Sequence, residues 1–168
     1  MNTKRRQGGS ILLDVCLSVL CVILGGVLLV TVIQRRQQHL RCARYIADLR
    51  DFSAAFLSFK QRQGNWPPAS SGVAAIPRGM ESYLRDTNWL TGSPVGGNYS
   101  WVAPGEGNAG GKPDETGAIA LTAFFPALPL ALSPADLRYI DAELDDGNLA
   151  SGRFRTGFNG WPLYLVRD

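Results

Sequence analysis

The chain has 168 residues, 45% of them hydrophobic and 18% charged, with 17 basic and 14 acidic side chains. Four Trp, five Tyr and seven Phe make it too apolar for a disordered chain, and its length fits one domain with an appendage. Three cysteines, a single His and no CxxC pair exclude a multi-bridge disulfide framework and a zinc site.

The net charge of +3 averages an uneven chain. Residues 1–9 form a basic leader with Lys4, Arg5 and Arg6, closed by Gly8 and Gly9. Residues 11–33 hold one charge, Asp14. As a helix rising about 1.5 Å per residue this stretch reaches roughly 35 Å, enough to cross a hydrocarbon core of about 30 Å. A single transmembrane helix is predicted. The stretch exceeds the usual apolar region of a secretory signal, and no small-x-small cleavage site follows it. Nor does a small residue precede Cys16 or Cys21, as a lipoprotein signal requires. The segment is therefore expected to stay attached. Basic residues flank it on both sides, so charge alone does not set its orientation.

Residues 34–63 carry seven basic side chains against Asp48 and Asp51. Cys42, Tyr45, Leu49, Phe52, Phe56 and Phe59 follow helical spacing and predict one apolar stripe. Arg44, Asp48, Asp51 and Arg62 fall off that stripe and are assigned to the solvated face. The stripe is too short for a coiled coil, so its expected partner is the remainder of the chain. It should continue the membrane helix, giving one helix over residues 10–63, roughly 80 Å long. Gly64 ends it, and Pro67-Pro68 prevents its resumption. Because the aromatics occupy the buried stripe and are not interleaved with the exposed arginines, nucleic-acid binding is not expected. His39 has no motif around it and is assigned to the surface.

Residues 64–168 carry a net charge of −4 and are large enough for a modest core. A short helix or turn is predicted over residues 82–89, strands over 98–102 and 118–125, and a Gly-rich turn between them at 105–115. Ser133-Pro134-Ala135-Asp136 offers an N-cap followed by Pro at the first helical position, opening a helix to about Leu144. Closing strands are predicted at 153–158 and 162–166. The expected fold class is α+β: a long N-terminal α-helix packed on a small antiparallel β-sheet head.

The leader, Gly8-Gly9, then Ser10-Ile11-Leu12-Leu13-Asp14 and an uninterrupted apolar helix resemble the type IV prepilin and type II secretion pseudopilin family. The resemblance implies cleavage after Gly9 by a prepilin peptidase, methylation of the new terminus at Ser10, and an acidic residue at the fifth mature position, which Asp14 occupies. Asp14 stands where the family usually has Glu, and Ser10 where it has Phe or Met. A carboxylate in a membrane helix costs about 2.5–3.5 kcal/mol near the centre and calls for a partner. Cleavage after Gly9 would put an amine on Ser10, four residues earlier, with which Asp14 could pair within one chain or from a neighbouring subunit; the other reading is an interfacial Asp that stabilises a helix N-terminus with no partner chain. Gly25-Gly26 is open to two readings, a locally melted stretch, as in pilin-like filaments, or close helix packing. The resemblance thus implies a pilin-like structural subunit of a pilus or pseudopilus filament. It would sit as a single-pass protein of the bacterial inner membrane with the head outside the cytoplasm. Its partners would be the peptidase, other pilin-like subunits and the inner membrane. The residues also admit an uncleaved single-pass membrane protein whose head binds a ligand or partner.

Two head segments resemble pilin-type secretion proteins: residues 91–101, a turn feeding an aromatic strand, and residues 140–148 followed by Gly152. The latter clusters Asp141, Glu143, Asp145, Asp146 and Asn148, oxygen ligands of the kind calcium takes. Major pseudopilins hold calcium in a head loop, and Asp141, Asp145 and Asp146 are the candidate ligands. The spacing is not that of an EF-hand, and a solvated acidic turn accounts for the same residues. Otherwise no cofactor is expected. With no GxSxG, no phosphate loop and no Cys/His pair, no enzyme activity is expected either.

Overall fold

The computed structural model describes residues 7–70, 72, 74–105, 116–123, 129–157 and 160–167, with side chains from residue 13. Lys4, Arg5 and Arg6, residues 106–115 of the Gly-rich turn, Phe124, Phe125 and Phe158 lie outside the described residues. The layout is α+β, a long apolar N-terminal helix and a small antiparallel sheet.

Helix α1 spans Gln7–Gln63, 57 residues. Packing divides the chain into two compact units, Met1–Leu40 and Arg41–Asp168, with α1 running through both. In the first unit every residue from 13 to 33 is exposed, from Ile33 at 46% to Val22 at 75% among the large apolar side chains. This is the one helix among the described residues long and apolar enough to cross a membrane.

In the second unit α1 buries Cys42, Tyr45, Leu49, Phe52, Phe56 and Phe59, the stripe read from helical spacing, and adds Ile46. Gly64 ends the helix with φ at 76°, where a Cβ would be strained, and its N–H donates to the Lys60 carbonyl at 2.8 Å. Lys60 and Arg62 in the last turn complement the helix dipole.

The stripe packs on a four-stranded antiparallel sheet. Strands β1 (Asn98–Val102), β2 (Gly117–Thr122), β3 (Phe154–Thr156) and β4 (Pro162–Val166) lie in the order β1-β2-β4-β3. Strands β1 and β4 have the expected limits. Strand β2 begins one residue earlier and stops at Thr122, and β3 is only three residues long. In β1 the side chains alternate, and Tyr99 and Trp101 point into the core. Strand β4 is paired on both edges and buried throughout, which is why its sequence is apolar without alternation. The region expected as a helix or turn holds α2, one turn at Glu81–Leu84.

Aromatic contacts join helix to sheet. Phe56 stacks on Trp101 with centroids 3.9 Å apart, and Phe52 meets Tyr99 edge-on at 4.7 Å and Trp89 at 5.0 Å.

Helix α3 (Pro134–Leu144) starts as expected. Ser133 Oγ accepts from the Asp136 N–H at 3.2 Å while Asp136 Oδ2 accepts from the Ser133 N–H at 2.9 Å, a full capping box. Ser133→Ala should cost about 1 kcal/mol and lower the melting temperature by roughly 3–5 °C, readable by circular dichroism.

Candidate functional site

The residues tied by sequence to processing and assembly lie in the first unit. Gly9 and Ser10 are helical backbone within α1, and Asp14 is exposed on the same helix. The Asp14 carbonyl accepts from Ser18 Oγ at 2.8 Å, so that hydroxyl spends its donor inside the helix instead of presenting it to the apolar surroundings. Residues 13–33 carry no second charge that could balance the Asp14 carboxylate within the helix.

The acidic residues of the second unit come together. One carboxylate oxygen from each of Asp141, Asp145 and Asp146 lies within 4.8 Å of the others. Helix α3 supplies Asp141 from its last turn, and the loop that leaves the helix supplies the other two. The loop is tightly determined. The Asp145 N–H closes the helix on the Asp141 carbonyl at 2.6 Å, and Asp145 Oδ2 accepts the Arg153 N–H. Gly152, at φ 77°, leaves the space that Asp145 fills, because a Cβ there would lie 1.6 Å from Asp145 Oδ2. Asp146 accepts from the Asn148 N–H at 2.8 Å and from Ser151 Oγ at 3.1 Å. Arg50 on α1 donates to the Glu143 carbonyl at 3.0 Å and so ties the end of α3 to the long helix.

Asp141 differs from its neighbours. Asp145 and Asp146 are exposed, whereas Asp141 is 0% exposed and neither of its carboxylate oxygens has a hydrogen-bond partner. A solvated acidic turn therefore describes Asp145 and Asp146 but not Asp141. Burial pushes the Asp141 carboxyl up to about 6, with the charges of Asp146 and then Asp145 adding to the effect. Between the ordinary aspartate range and that value the folded chain keeps a proton the unfolded chain has lost, so this group makes stability fall as pH rises through the window. The donor set is all oxygen and fits a hard cation, not zinc.

A second buried acid corrects the sequence reading. Asp48, assigned above to the solvated face, is only 6% exposed. Tyr99 Oη donates to its Oδ2 at 2.8 Å and Asn88 Nδ2 to its Oδ1 at 3.0 Å, which offsets the cost of burying it. Tyr99 is held well above the ordinary tyrosine range, chiefly by burial, and stays a donor. Asp48 borders an open groove of about 470 Å³ with Arg44, Asp51, Asn88 and Ser93.

Burial, with Asp136 nearby, pushes the Cys42 thiol up to about 11, so it is a core side chain and not a reactive thiolate. Cys16 and Cys21 are exposed on α1, and His39 is exposed as well. No protein-family model, curated protein or solved structure matches this chain.

Proposed function

We propose that this chain is a structural subunit of a pilus or pseudopilus filament, cleaved after Gly9 and assembled through its N-terminal helix. One observation carries the reading: residues 13–33 of α1 leave every side chain exposed, and the only charge among them is Asp14. Such a surface needs lipid or other helices around it, and its carboxylate needs a cation. Cleavage after Gly9 creates an amine on Ser10, four residues before Asp14, at the positive end of the helix. Neighbouring copies would then neutralise each other. In this reading the protein is a single-pass component of the bacterial inner membrane, and residues 41–168 lie outside the cytoplasm. Its partners are the prepilin peptidase and other pilin-like subunits, and its role is structural rather than catalytic.

The amino terminus of the membrane-extracted protein tests this, by intact mass and terminal peptide sequencing, in cells with and without the peptidase. The expected chain starts at Ser10 only when the peptidase is present, and the mass reads methylation directly. A chain starting at Met1 in both strains overturns the filament reading and leaves an anchored domain with a ligand- or partner-binding head.

A further inference from the structure

We infer that the groove beside Asp48 binds a free α-amino acid, with a basic side chain preferred. Asp48 is 6% exposed and receives only neutral donors, Tyr99 Oη at 2.8 Å and Asn88 Nδ2 at 3.0 Å. No basic side chain pairs with it among the described residues. A carboxylate offers about four lone-pair positions, so roughly two remain for a further donor. A buried charge held by neutral donors alone is only partly compensated, and a cation in the groove completes the balance. A carboxylate sheltered from water also attracts such a cation more strongly than a solvated one does.

Size and charge order select the ligand. A volume of about 470 Å³ is that of a small-molecule site and far exceeds a bare metal ion. Arg44, Asp48 and Asp51 come from one face of α1, separated along its axis by about 6 Å and about 4.5 Å. Their order is cation, buried anion, exposed anion, and its complement is carboxylate, ammonium, cation. Those charges follow one another in the same order along a basic α-amino acid. The compact α-ammonium, with three donors, suits the recessed Asp48, and the Arg44 guanidinium receives the α-carboxylate. Asp51 is exposed, so its attraction for a side-chain cation is screened and sets only a preference. The opposite wall is built in advance. The Asn88 carbonyl accepts the Thr91 N–H at 3.2 Å and Thr91 Oγ1 at 2.9 Å. Ser93 donates its N–H to the Gly97 carbonyl at 3.1 Å and accepts the Gly96 N–H on its own carbonyl at 3.0 Å, a turn closed by two glycines of positive φ. A wall so fixed loses little entropy when a ligand binds.

The inference does not depend on the filament reading, and its test reads binding directly. Full-length protein in detergent at low ionic strength is equilibrated by dialysis against radiolabelled L-arginine. Saturable binding of one arginine per chain is expected. L-lysine should compete, and L-norleucine should compete about threefold less well, because only Asp51 separates the two. N-acetylarginine, which lacks the ammonium, should bind at least about tenfold more weakly, as should arginine to Asp48→Asn. Should that variant fail to fold, Arg44→Gln at an exposed position should weaken arginine binding about threefold or more. The same change should leave argininamide, which has no carboxylate, unaffected. No saturable binding up to roughly 10 mM overturns the site. So does N-acetylarginine or argininamide binding the wild type as tightly as arginine, or full retention of arginine binding in both variants.

Discussion

Trp101→Ala is expected to destabilise the second unit by about 3–5 kcal/mol, a fall in melting temperature of roughly 10–20 °C. Trp101 is 1% exposed and stands where four elements meet. Its ring stacks on Phe56 of α1 at 3.9 Å and leans on Trp66 at 5.5 Å, while Nε1 donates to the Pro67 carbonyl at 3.1 Å. On the sheet it covers Gly117 so closely that a Cβ there would lie 2.1 Å from the indole Cη2. Truncation removes the stack, opens a cavity and leaves the Pro67 carbonyl without its donor. Trp101→Phe keeps the stack and loses the hydrogen bond, so it should cost only about 1–2 kcal/mol. The specific contact is read by a double-mutant cycle. Gly117→Ala should be severe in the wild type, because backbone and indole cannot both stay in place, and mild once Trp101 is alanine. Additive costs would mean that the glycine is there for some other reason.

That contact also marks the boundary of what the sequence discloses. Signals confined to a few residues are legible. The Ser-Pro-Ala-Asp start of α3, the Gly64 and double-proline end of α1, and the alternation of β1 each follow from local chemistry. Sheet order does not. Strand β2 pairs with β4 across some forty residues, and its register places Gly117 opposite Val166 and under Trp101, a choice made by packing. The two buried acids are a middle case. Asp48 follows Tyr45 and precedes Phe52 at helical spacing, and Asp141 lies with Leu137, Ile140 and Leu144 on one face of α3. Both therefore have apolar neighbours at helical spacing, yet Asp48 reads as solvated because it falls outside the stripe, and only the fold shows that the two are buried. What periodicity leaves open is how each is satisfied. Asp48 receives Tyr99 and Asn88, distant in sequence, whereas Asp141 receives no protein donor at all. Composition identified the acidic loop, but only the fold separates its one buried member from its exposed ones.

Asp14→Ala is expected to reduce association of the N-terminal helices by about 70- to 400-fold while leaving the melting of residues 41–168 unchanged. Near the centre of an isolated membrane helix a carboxylate costs about 2.5–3.5 kcal/mol on insertion scales, and under the proposed function pairing with the Ser10 amine of a neighbouring copy would recover up to that amount on assembly. Alanine carries no such penalty. It makes the lone helix more comfortable in lipid and removes the gain from associating, so the variant should accumulate as a membrane-embedded monomer. The fold of the second unit does not depend on the change, because Asp14 belongs to the compact unit Met1–Leu40 and the aromatic core lies in Arg41–Asp168. Asp14→Glu separates charge from reach. The longer side chain keeps the carboxylate and should support assembly at least as well as Asp14, whereas Asp14→Asn keeps the shape and should behave like alanine. Cross-linking between copies in the membrane, quantified beside the melting curve, reads all three variants. Full assembly in Asp14→Ala would mean that the carboxylate pairs with the amine of its own chain and contributes nothing to contacts between subunits.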